Sequence, residues 1–162
     1  MNLQNLFLLQ RELDDRIIDE HVLEGQDLFP NKILALRVEL GELANDWQGF
    51  KHWKVDPQPK PGMLEEFVDC LHFIISLGLE LEFDIKFHSI HTSFEMIDFI
   101  EHFDLIYDQV SCLKFQKSVD SYQTLLELFF GLGEKLGFTP EMIEAAYFMK
   151  NKVNHERQAH GY

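Results

Sequence analysis

A chain of 162 residues is long enough for one compact domain with a real core and too short for two to be expected. Its apolar and charged fractions, 46% and 26%, are those of an ordinary soluble protein and exclude wholesale disorder. The formal charge of -14 excludes sequence-independent nucleic-acid binding, which needs a basic surface to displace counterions from phosphates. A nucleotide substrate stays open, because bound divalent metals reverse the local field.

In chain order, the apolar residues recur at helical spacing, and no segment shows sustained strand alternation. A first helix is predicted over about residues 3 to 23, with Leu6, Leu13 and Ile17 on its buried side. Its opening, MNLQNLFLLQRELDD, lacks a basic leader and a small-residue cleavage site, so no signal peptide is expected. A second helix begins near Asp27 and Pro30, a capping side chain and a first-turn proline, and runs to about Trp47 on a Leu36/Leu40/Leu43 stripe. The segment from Gly49 to Gly62, with Pro57, Pro59 and Pro61, reads as an ordered loop.

A third helix follows from about Met63 to Leu81. Its apolar stretch, Phe73 to Leu79, is far short of the roughly 20 residues of a membrane span. Phe83 to Ser93 reads as a loop, and a fourth helix runs through Phe99, Phe103 and Ile106. A fifth spans about Val119 to Lys135 and is closed by Gly137; Thr139 and Pro140 open a sixth that reaches roughly Arg157. The expectation is an all-α bundle of about six helices forming a single domain over 1-162. Cys70 and Cys112, far apart in apolar surroundings, are expected to be buried free thiols in a reducing, cytoplasmic setting.

Two acidic pairs stand out. Glu39 and Glu42 are neighbours on one face of the second helix and border its leucine stripe; Asp46 continues that edge. The third helix, LEEFVDCLHFIISLGL, is apolar on most of its circumference apart from a strip of Glu65, Glu66, Asp69, His72 and Ser76. No lysine or arginine lies between Lys60 and Lys86, so these carboxylates lack local cationic partners. Clustered acids without cations repel one another, and a divalent cation removes the conflict. All-oxygen ligation favours Mg²⁺, Mn²⁺ or Ca²⁺ over zinc, and two facing pairs suit two or more ions in phosphoryl chemistry. An acidic pair at this spacing is also common on a solvated helix face, and Glu39/Glu42 taken alone fits that description.

The pieces RVELGELANDWQGFKHWK, LEEFVDCLHFIISLGL and YFMKNKVNHERQAHGY resemble the dimeric dUTPases, within the all-α NTP pyrophosphatase superfamily that also contains MazG-type enzymes. That family carries an E-x-x-E pair followed on a later helix by E-x-x-D; here these are Glu39/Glu42 and Glu66/Asp69, which selects Glu66 over Glu65. The resemblance covers the N-terminal half and the last sixteen or so residues, and gives nothing for about 86 to 138.

It implies hydrolysis of dUTP to dUMP and pyrophosphate in a homodimer. Mg²⁺, or Mn²⁺ in its place, would be bound by the four carboxylates, and a metal-held water would be oriented or deprotonated by Glu39 or Glu42. Lys150, Asn154 and Arg157 form one stripe on the last helix and, with Tyr162, suit a phosphate and sugar clamp. Lys51, Trp53 and Lys54 would add charge and an aromatic wall. Gln10 and Asp14 fall where the family contacts uracil, although an ionised aspartate accepts only and leaves uracil O4 without a donor.

Other readings are a pyrophosphatase for dCTP or a non-canonical nucleotide on the same scaffold, and a non-catalytic acidic helical interaction protein. A ferritin-like di-iron oxidoreductase would need two E-x-x-H motifs, whereas the constellation holds a single D-x-x-H at Asp69/His72. Neither a nucleic acid nor a membrane is expected as a partner.

Overall fold

The computed structural model describes residues 1–84 and 97–160, and among these it contains six helices and no strand. They are α1 (Leu3–His21), α2 (Phe29–Trp47), α3 (Met63–Glu80), α4 (Phe99–Gln116), α5 (Val119–Lys135) and α6 (Pro140–Ala159). The loop expected from Phe83 to Ser93 falls mostly outside the described residues. No described helix is long and apolar enough to cross a membrane.

Local chemistry sets the helix ends. Asn2, Asp98, Ser118 and Thr139 cap α1, α4, α5 and α6 by accepting hydrogen bonds from orphan backbone N–H groups of the first turn. The expected capping role of Asp27 at α2 is displaced outward: its carboxylate accepts from Phe29 N at 3.1 Å, while Leu28 occupies the cap position without a side-chain bond. Gly137, at φ +86°, follows α5 where a left-handed residue turns the chain into α6. The proline-containing loop after α2 is tied back to that helix, with Lys60 N donating to Asp46 O at 2.9 Å and Gln48 Nε2 to Gln58 O at 2.6 Å.

The nearly all-apolar α3 lies inside, packed against α1, α2, α5 and α6. Phe67, Leu71, Ile74 and Ile75 are fully buried on it. Phe67 stacks on Phe129 of α5 at 4.3 Å between ring centroids. At Gly78 the absence of a side chain admits Tyr122 of α5, whose hydroxyl donates to Ile74 O at 3.0 Å. The last helix reaches α1 through polar contacts: Tyr147 Oη donates to Gln10 Oε1 at 2.6 Å and Arg16 Nη1 to His155 O at 2.9 Å. One detail corrects the sequence reading: Cys70 is buried, but Cys112 is only half-buried, beside Ser121. Likewise Ile17 is half-buried, on the wall of a cavity.

Candidate active site

Because Leu36, Leu40 and Leu43 are driven fully into the core, Glu39 and Glu42 at the edge of that stripe are carried to the seam between α2 and α3. Glu66 approaches from α3, and carboxylate oxygens of Glu39, Glu42 and Glu66 lie within 4.8 Å of one another. Glu39 and Glu66 are half-buried and Glu42 is exposed. Three anions this close penalise one another. Burial pushes the Glu66 carboxyl up to about 7, with the charges of Glu42, Asp69, Asp46 and Glu39 adding to the shift. Glu39 is raised as well, by burial first and then by Asp69 and Glu42, with Lys150 opposing. A set of oxygen donors at this spacing, held against its own repulsion, fits a hard divalent cation.

Asp69 departs from the expected foursome. Its Oδ2 accepts from Lys150 Nζ at 2.6 Å, and the same ammonium reaches Glu65 at 2.8 Å. The third-helix acids have no cation close by in sequence, but a lysine from α6, remote in sequence, folds over Asp69 and Glu65. Asp46 likewise finds Lys60. Burial raises Asp69, and the Lys150 contact holds that rise back; the same contact lowers the Glu65 carboxyl. Burial disfavours the Lys150 charge, yet its bonds to Asp69 and Glu65 keep its pKa above the ordinary lysine value.

Beside this cluster a cavity of about 500 Å³ opens between α1, α2, α3 and α6, and Glu39 and Asp69 form part of its wall. Lys32, Ala35 and Glu39 share one face of α2, while Asp69, Phe73 and Ser76 share one face of α3, so the wall runs from an acidic end to a far end at Lys32 and Ser76. Seven helical residues separate Lys32 from Glu39, about 10 Å at 1.5 Å per residue. Leu13, Ile17, Leu28 and Phe73 make much of the lining apolar.

Polar groups inside the cavity are tied into one network. Gln10, 3% exposed, accepts at Oε1 from Tyr147 Oη at 2.6 Å and from His72 Nδ1 at 2.7 Å. Its Nε2 donates to Asp14 Oδ1 at 2.7 Å. With the amide so oriented, His72 must carry its proton on Nδ1. Its Nε2 is then an acceptor, buried and without a partner among the described residues. Burial, helped by the charge of Lys150, lowers the His72 pKa to about 3, so the ring is neutral. It stacks on Tyr147 at 4.0 Å.

Of the residues singled out from sequence, Gln10, Asp14, Glu39, Asp69, Lys150, Asn154 and Arg157 line this cavity, and Glu42 and Glu66 flank it through Glu39. Lys51, Trp53 and Lys54 do not line it: Lys51 donates to Asn45 Oδ1, Lys54 to Gln48 Oε1, and Trp53 is 63% exposed. Tyr162 lies outside the described residues. Sequence reasoning missed Lys32, Asn31, Phe73 and Gln158 as wall residues. The spacing of Lys32 seven before Glu39 was the available signal for the first of them.

A family model described as dUTPase matches residues 2–162, including the stretch for which the sequence motifs offered nothing. No curated protein matches the chain. Matched from residue 2 to residue 162, the chain belongs to the dUTPase family and carries the dUTP diphosphatase activity that membership implies.

Proposed function

We propose that the chain hydrolyses dUTP to dUMP and pyrophosphate with Mg²⁺ held by Glu39, Glu42, Glu66 and Asp69. The observation that carries this reading is the position of Glu39, a member both of the three-glutamate cluster and of the cavity wall. It joins a cation site to a pocket large enough for a nucleoside. A bound Mg²⁺ supplies positive charge against the phosphate oxygens and lowers the pKa of a water.

The chain's own residues do the rest. Lys150 is placed to exchange its carboxylate partners for a phosphate oxygen, which releases Asp69 to join the three glutamates. Asn154 and Arg157, one and two turns further along α6, extend the same wall for the sugar and phosphates. Glu39 takes the proton of the attacking water at a carboxylate oxygen; it faces the cavity, whereas Glu42 is exposed. Phe73, Leu28 and Ile17 exclude water around the base, and the bare Nε2 of His72 suits the N3–H of uracil. Exposed Leu34 and Val38, one turn apart on α2, and Phe115 on α4 support a homodimer.

The test is hydrolysis of a dNTP panel with Mg²⁺, products identified as monophosphate and pyrophosphate. We expect clear preference for dUTP, and a loss of at least about 100-fold in kcat for Glu39→Gln with the fold retained. Equal rates on dUTP and dCTP would sink the uracil assignment. Full activity in Glu39→Gln would sink the catalytic one.

A further inference from the structure

The far end of the cavity, away from the acidic cluster, carries a cation of its own. Lys32 enters from the first turns of α2, its side chain only 13% exposed, with Nζ 3.2 Å from Asp14 Oδ2 and 2.7 Å from Glu80 Oε2. An ammonium has three N–H groups. Two serve these carboxylates, and the third has no partner among the described residues, although Lys32 is part of the cavity wall.

Asp14 is in the opposite condition. Its Oδ1 accepts from Gln10, and its Oδ2 accepts from both Ser76 Oγ and Lys32. A carboxylate so occupied is poorly placed to read a base. It fixes the lysine and, together with Glu80, neutralises it.

Geometry assigns the third N–H a use. Lys32 stands about 10 Å along α2 from Glu39, comparable with the length of a pyrimidine nucleoside whose phosphates lie at the acidic end. At the far edge of such a base, uracil presents a C4 carbonyl that accepts a hydrogen bond. Cytosine presents an amino group there, which only donates. Resting on the dUTPase reading above, we infer that Lys32 is a specificity-determining residue of this cavity beside His72: Nζ donates to uracil O4 and opposes the amino group of cytosine, while Asp14 and Glu80 hold the ammonium in place.

A fixed donor with no acceptor rejects the wrong base strongly, because its hydrogen bond goes unmade in a dry pocket. The assignment also removes the difficulty that an aspartate at position 14 has no proton to give to O4.

The experiment compares kcat/KM for dUTP, dCTP and 4-thio-dUTP, with Mg²⁺, in the wild-type protein, Lys32→Met and Glu80→Gln. 4-thio-dUTP keeps the N3–H and replaces the O4 acceptor by sulfur. Lys32→Met is expected to shrink the dUTP-to-dCTP ratio at least about tenfold, by losing dUTP rather than gaining general activity. Glu80→Gln leaves the donor present but removes the charge of one of its two anchors, and is expected to shrink the ratio by less than Lys32→Met does.

The wild-type protein alone should disfavour 4-thio-dUTP, an arm that needs no variant to fold, and Lys32→Met should no longer distinguish it from dUTP. A Lys32→Met protein that slows dUTP and dCTP equally overturns the assignment, as does wild-type indifference between dUTP and 4-thio-dUTP. A wild-type protein without dUTP preference instead overturns the uracil reading on which the assignment stands.

Discussion

Glu66 is the residue whose ionisation most clearly reports on the site. Its folded pKa of about 7 lies above the ordinary 4.5, so between those values the folded chain holds a proton that the unfolded chain has released. Stability in the absence of metal is therefore lost as pH rises through this window and is not lost further above it. His72 acts in the opposite sense, since its depressed pKa costs stability as pH falls below about 6.5. A Glu66→Gln variant shares His72 with the wild type, so the difference between the two proteins isolates the carboxylate. In metal-free thermal melts we expect Glu66→Gln to gain on the wild type as pH rises from 5 to 8. Mg²⁺ should reverse that order at pH 8 by raising the wild-type melting temperature alone. A pH-independent difference would show that Glu66 does not sit among repelling charges. At this scale the acids were legible from spacing, but their partners were not. Lys150 meets Asp69 across 81 positions of sequence, and nothing local to α3 foretells it.

Among elements, α3 decides the architecture, because a helix apolar on most of its circumference has to be covered on most of its circumference. Its close approach to α5 depends on Gly78. A Cβ there would stand 2.2 Å from the Tyr122 hydroxyl and 3.0 Å from Phe7, and both neighbours are themselves buried. Gly78→Ala should therefore destabilise the protein by about 1–3 kcal/mol, measured by denaturant titration, despite the better helix propensity of alanine. An unchanged midpoint would mean that Tyr122 can move aside at no cost. Helix existence and most ends were readable from period and caps, as at Thr139 and Gly137. The Asp27 cap was misplaced because an acidic side chain two residues before a helix can bond the first N–H from outside the cap position.

For the whole molecule, the exposed apolar residues set the expected assembly. Leu34 at 63%, Val38 at 51% and Phe115 at 81% exposure are apolar surface that the proposed homodimer would cover, and sedimentation equilibrium should then return twice the chain's 19.1 kDa. A monomer at micromolar concentration would remove the dimer from the proposal. What the amino-acid order determined by itself is everything that depends on short range: an all-α chain, the run of helices, and acidic pairs spaced to share a helix face. Helical periodicity and capping act over a few residues and can be read directly. Only the tertiary structure decided that three glutamates converge within 4.8 Å while Asp69 goes to Lys150, and that Lys32, Asp14 and Ser76 close one end of a cavity. Those contacts join residues on different helices, and packing of the core fixes which faces meet. The four carboxylates named from spacing together with the family resemblance thus become, in the fold, a three-glutamate cluster and a fourth acid held by a lysine.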